Sequence, residues 1–210
     1  MTVSTPTVAG PWIRLIRLHL ESRRFLTALV AILGCAIALR IALHWPWTAY
    51  GALQLPLIAE AGCAVAITAT TASPFGDPER VTGRRLRFLR LGVPVLLIAI
   101  AAAALAGAGL GSSLAGGNLE MLRNLVGLTG IGLLCAVAFG GALAWAGPTA
   151  YLIVGVYALY TLWHGPALTT PWIWPSRPAH DLGAAACAAV TMAMGLGLVT
   201  VRGAQDLGRE

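Results

Sequence analysis

The residue with the most chemical potential is a single carboxylate in an apolar setting. Glu60 lies within LPLIAEAGCAVA, residues 55–66, where no other charged side chain occurs. A lone ionised group in hydrocarbon costs at least roughly 2–3 kcal/mol, so Glu60 must face the protein interior, find a partner or carry a proton. One reading makes it a pathway or gating residue that meets a proton or cationic cargo. The other makes it half of an interhelical hydrogen bond, about 1 kcal/mol in a bilayer. Arg40 and hydroxyls such as Thr68 are its candidate partners.

Two further segments carry clustered charge. The stretch SPFGDPERVTGRRLRFLR, residues 73–90, sets Asp77 and Glu79 beside Arg80, Arg84, Arg85, Arg87 and Arg90. Asp77 is placed to cap a short helix opened by Pro78, a form suited to docking a partner. A run of arginines also fixes membrane orientation and contacts anionic lipid. The stretch PWIRLIRLHLESRRF, residues 11–25, puts Trp12, Leu15, Ile16 and Leu20 on one helical face and Arg14, Arg17, Glu21 and Arg24 on the other. Such a helix lies in the plane of a leaflet, as an anchor or as a platform for a partner.

Other reactive side chains do not converge. Cys35, Cys63, Cys135 and Cys187 each sit in an apolar run without a C-x-x-C spacing, which predicts small buried side chains. The four histidines, His19, His44, His164 and His180, show no metal-ligand spacing. Glu120 and Arg123, three residues apart, are expected to pair on one helical turn. All 14 basic residues are arginine. Without lysine the chain supplies neither a P-loop lysine nor a Schiff base. It is therefore expected not to be an enzyme, to bind no cofactor or metal of its own, and to have no nucleic-acid partner.

The elements that must position these residues are membrane helices. Hydrophobic residues make up 58% of the 210, and charged residues only 10%, against about 25% in soluble domains. A bilayer core of about 30 Å takes roughly 20 apolar residues as a helix. Apolar runs of about that length predict six spans over 25–43, 52–72, 91–110, 125–146, 148–163 and 182–201. The last two of the first five are divided at Gly147 and Pro148. The expectation is an all-α polytopic bundle of six transmembrane helices, preceded by an amphipathic interfacial helix over 11–24 and a disordered 1–10. A tail over 202–210 follows. Eleven arginines fall on one side of this scheme and only Arg40, Arg123 and Arg177 on the other, which places both termini in the cytoplasm. On the opposite side HGPALTTPWIWPSRPAHD, residues 164–181, holds Trp172, Trp174 and four prolines. It reads as an irregular or re-entrant cap near the outer surface. Gly107 and Gly111 form a G-x-x-x-G, and Gly127, Gly130, Gly132, Gly140 and Gly141 recur in the fourth run, allowing close packing or a dimer.

This layout resembles the six-span permease subunits of type-two ATP-binding-cassette exporters. The resemblance rests on an amphipathic connecting helix at 11–24, a cytoplasmic coupling helix at about Pro74 to Arg87, and irregular structure at 164–181 before the final span. It covers nearly the whole chain in arrangement and few residue motifs. The outer loops are short, the fifth span is brief and the chain is smaller than many members of that family. It implies a bacterial inner-membrane protein, paired with a second permease copy or a homologous permease in contact with membrane lipid. A separate cytoplasmic ATPase subunit would bind ATP and magnesium. The cargo would be a lipid, peptide, antibiotic or other amphiphile, with Asp77, Glu79, Arg80 and Arg84 in the docking loop, Glu60 in the pathway, and Trp12, Arg14 and Arg17 on the interfacial helix. The alternative is a non-transporting accessory or immunity protein that binds a partner in the bilayer. A membrane-embedded enzyme would need polar groups clustered at one depth, and apart from Glu60 the runs lack them.

Overall fold

The computed structural model describes residues 24–71, 83–111, 117–166, 168 and 170–202, with the backbone alone at 49, 50, 83–90 and 163. Trp12, Arg14, Arg17, Asp77, Glu79 and Arg80 lie outside the described residues, as do the expected interfacial helix and most of the expected coupling helix. Six long helices follow one another: α1 Phe25–Ala42, α2 Ala49–Ala69, α3 Gly83–Ala108, α4 Gly117–Phe139, α5 Ala146–His164 and α6 Leu182–Arg202. Among the described residues there is no strand. All six helices are long and apolar enough to cross a membrane. Large apolar side chains such as Leu26, Val30, Ile153 and Leu182 point outward, as they must where the solvent is lipid.

Successive helices run antiparallel. One end of the bundle therefore carries Arg24, the α4–α5 turn and Arg202; the other, the loop end, carries residues 43–48, 109–111 and 170–181. α4 is the central helix, in contact with α2, α3, α5 and α6. Its closest approach is to α6. A Cβ on Gly130 would stand 2.6 Å from the Met192 backbone nitrogen, and one on Gly195 would stand 2.8 Å from the Gly130 carbonyl. Two glycines thus let the backbones touch, with Leu133, Val137, Met192 and Val199 filling the seam.

Three features differ from the sequence-based expectation. The fourth helix ends at Phe139, and Gly140, at φ +92°, turns the chain into a single 3-10 turn, Gly141–Leu143. Gly147 and Pro148 then lie in the first turn of α5, where a missing N–H breaks no helical bond. The division of the long apolar stretch thus falls at Gly140, seven residues before the Gly-Pro pair. The third helix starts at Gly83 and runs unbroken, so Arg84 lies in its first turn, ahead of the apolar span that begins at Leu91. Its opening residues, RRLRFLR, are mostly strong helix formers. The Gly107/Gly111 pair packs against nothing within the described chain: a Cβ at either would have open space, and Gly111 lies beyond the end of α3 at φ +78°.

Candidate functional site

The loop before α6 folds back into the bundle. It contains a single 3-10 turn, Trp174–Ser176, whose three residues are all buried. Trp174 is 3% exposed, and its indole occupies the space a Cβ on Gly127 would need. Gly127 is ten residues along α4, about 15 Å from the helix start at 1.5 Å per residue. The ring of Tyr151 stacks on Trp174 with centroids 4.4 Å apart. The Tyr151 hydroxyl donates to the Trp172 carbonyl at 2.7 Å and accepts from the Trp174 N–H at 3.2 Å. The side chains of Ala184, Ala188, Ile131 and Cys187 complete the socket. The Ser176 hydroxyl donates to the carbonyls of Leu168 and Ile173. Irregular backbone at membrane depth is tolerated when buried in protein, and these bonds meet that condition.

Arg123 ties this loop to α4. Its guanidinium donates to the Pro178 carbonyl at 2.8 Å and to the Arg177 carbonyl at 3.1 Å. It also pairs with Glu120 one turn earlier, at 3.8 Å. The loop closes on Asp181, which accepts the Ala184 N–H at 2.9 Å as the N-cap of α6 and pairs with Arg177 at 2.6 Å. The Ala184 N–H first, then the Arg177 guanidinium and the Gly183 N–H, hold the Asp181 carboxyl below the usual carboxylate range against some desolvation.

A depressed folded-state pKa means that the stability Asp181 contributes is present at neutral pH and lost as pH falls through the folded value. The unfolding temperature of the wild type should therefore drop as the medium becomes strongly acid. Asp181→Asn, which keeps a cap acceptor but no charge, should lack that part of the drop. Identical acid limbs in the two proteins would show that the charge plays no part.

Glu60 faces the same region from α2 and is 1% exposed. Neither expected partner reaches it. Thr68 donates to the Ala64 carbonyl on its own helix at 2.9 Å, and Arg40 donates to the carbonyls of Ala108 and Leu110, closing the end of α3. The partner is Asn124 of α4, whose side-chain amide hydrogen-bonds the Glu60 carboxyl. Glu120 and Arg123 also act on it through their charge. Four buried side-chain atoms have no hydrogen-bond partner among the described residues: Glu60 Oε2, Asn124 Oδ1, Arg123 Nε and Trp174 Nε1. Glu60 and Asn124 also line a small cavity between α2 and α4, with Pro56, Glu120 and Met121. It offers about 10 Å³ to the centre of a water molecule, room for roughly one water. Pro56 lies inside α2 and lacks an N–H, which leaves the Ala52 carbonyl without its usual helical donor.

The site is thus a buried polar cluster: Glu60 on α2, Glu120, Arg123 and Asn124 on α4, and the loop carbonyls of Arg177 and Pro178. Sequence reasoning found Glu60 and the Glu120–Arg123 pair. It did not find Asn124 as a partner, the Arg123 clamp on the loop, or the Tyr151–Trp174 stack. The available signal was Arg123-Asn124 next to an apolar run, two polar residues too close to the membrane to be idle. Among the described residues no group of three His, Cys, Asp or Glu side chains is placed to hold a metal ion.

Six apolar helices around a polar centre define a multi-pass α-helical membrane protein. No family model, curated protein or solved structure matches the chain.

Proposed function

We propose that the protein is the permease subunit of a type-two ATP-binding-cassette exporter, moving an amphiphile with ATP hydrolysed by a separate cytoplasmic subunit. The observation that carries this reading is the loop before α6, residues 170–181. It enters the bundle between α4, α5 and α6 and is clamped there by Arg123 and Tyr151. Re-entrant structure before the last of six spans is what the resemblance implies. A lid fixed at that position closes the loop end of a pathway, and the Glu60 cavity lies beside it. The arginine distribution supports a cytoplasmic position for both termini in a bacterial inner membrane. ATP-driven closure of the partner would press on the segment between α2 and α3 and tilt both helices, carrying Glu60 with the first.

Purification of the tagged chain from its native membrane should bring down a nucleotide-binding subunit, and deletion of residues 74–87 should abolish that capture. Capture that survives the deletion would remove the docking segment from the proposal. A preparation free of any ATPase would remove the exporter reading itself.

A further inference from the structure

Two cysteines from different helices meet at the α1–α2 seam. Cys63 of α2 is fully buried and Cys35 of α1 is half-buried. Their thiols hydrogen-bond to each other. The sulfur of Cys35 lies over Gly62, where a Cβ would stand 2.8 Å from it, so a missing side chain lets the two thiols meet. Ile32, Ala36, Ala59 and Ile67 belong to the apolar cluster that holds Cys63. The other two cysteines have different neighbours: Cys135 packs on Gly147 of α5, and Cys187 lines the Trp174 socket.

The two thiols are unequal. Ala31 and Ala38, one helical turn to either side of Cys35, are exposed on the outward face of α1, so the Cys35 side chain borders the lipid. Cys63 has no exposed surface. Cys35 lies ten residues beyond Phe25 and Cys63 six residues before Ala69, about 15 and 9 Å along their helices from the end that carries Arg24. Both depths fall inside a hydrocarbon core about 30 Å thick. A reagent that reaches Cys35 there must dissolve in lipid. A soft monovalent metal ion would turn the pair into a bis-thiolate with net negative charge, which is costly in hydrocarbon. A disulfide is neutral, as the two thiols are.

We propose that Cys35 and Cys63 are a modification site at which a lipid hydroperoxide forms a disulfide between α1 and α2. The Cys35 sulfur attacks the distal peroxide oxygen. The O–O bond breaks, the thiol proton passes to the departing oxygen to give the lipid alcohol, and Cys35 becomes a sulfenic acid. The Cys63 sulfur then attacks the Cys35 sulfur. The S–S bond forms, the S–O bond breaks, and the hydroxyl leaves with the Cys63 proton as water. The two thiols lose a pair of electrons and the peroxide gains it. The bridge ties α1 to the helix that carries Glu60. No step needs an ATPase, so the site holds or fails independently of the exporter reading.

The test uses the full chain, reduced and placed in nanodiscs of phosphatidylcholine and phosphatidylglycerol. It is treated with cumene hydroperoxide, a lipid-soluble probe, and alkylated in denaturant. Peptide mapping without reduction should show a Cys35–Cys63 disulfide, with Cys135 and Cys187 alkylated. The bridge should form faster than with hydrogen peroxide at the same concentration. In Cys63→Ser, dimedone should label Cys35 as a sulfenic acid; in Cys35→Ser, Cys63 should remain a thiol. The wild-type map needs no variant, so it decides the matter even where a serine variant folds poorly. The proposal is overturned if both thiols stay alkylatable after peroxide, or if the bridge forms to Cys135, to Cys187 or between two chains instead. Dimedone labelling of Cys63 in Cys35→Ser would also overturn it, as would a bridge that hydrogen peroxide forms equally fast, since the oxidant would then come from water.

Discussion

Replacing Arg123 by methionine should destabilise the protein by roughly 3 kcal/mol or more, the cost typical of removing one partner from a buried charged pair. The guanidinium serves three neighbours at once: the carbonyls of Pro178 and Arg177 and the carboxylate of Glu120. Methionine fills a similar volume but donates nothing. The Pro178 and Arg177 carbonyls would then lose their guanidinium donors. Glu120 would also lose its ion-pair partner. The loss is best read as the midpoint of unfolding in dodecyl sulfate mixed micelles. Adding Glu120→Gln to Arg123→Met should recover part of it, because the second change removes the carboxylate that the first strands. Arg123→Lys should fall between, since an ammonium keeps the charge but not the fork that spans two adjacent carbonyls. An Arg123→Met protein as stable as wild type would mean that the loop is held by the Tyr151–Trp174 stack alone.

The number of crossings was legible because it depends on run length and composition, which need no tertiary information. The break between the fourth and fifth helices was not. Gly147-Pro148 is the stronger local punctuation, but proline is harmless in the first turn of a helix. Gly140 takes a positive φ there, and α4 ends at Phe139. The early start of the third helix at Gly83 was hidden for a related reason. Arginine at a membrane boundary ends the apolar run without ending the helix, so hydropathy marks where the lipid stops and not where the backbone hydrogen bonds stop.

At the site, burial was predictable and partnership was not. Glu60 had to be satisfied because its neighbours are apolar. Which group satisfies it depends on the rotation of α4 against α2, and that is fixed by Gly132 packing on Thr68 and by the Leu57, Ala61, Ala64 and Leu128 cluster. Thr68 was an attractive partner on paper, yet a threonine in a helix can bond its own i−4 carbonyl and here does so. Trp172 and Trp174 look alike in sequence as interfacial aromatics. The first is exposed and the second buried, because Gly127 leaves an indole-sized gap in α4 that only one of them can reach.

That dependence on missing side chains leads to the second large effect. Gly130→Leu should disrupt the bundle, whereas Gly107→Leu should leave it nearly unchanged. Both glycines lie in membrane helices, and both belong to small-residue patterns that suggest packing faces. A Cβ at Gly130 would stand 2.6 Å from the Met192 nitrogen and 2.8 Å from its Cα, which are backbone atoms with no rotamer to yield. The α4–α6 axes would have to separate, opening the Leu133, Val137, Met192 and Val199 seam and shifting the helix that carries the N-cap Asp181. Overpacking of a close core typically costs about 1–3 kcal/mol when side chains can give way; against backbone the upper end is expected. A Cβ at Gly107 meets nothing within 4 Å, so leucine there only adds lipid-facing surface. Dodecyl sulfate midpoints of the two variants and wild type decide the matter. Equal losses would place Gly107 in an interface with a second copy of the chain, the arrangement a paired permease requires, while an undamaged Gly130→Leu would contradict the helix crossing on which the buried cluster rests.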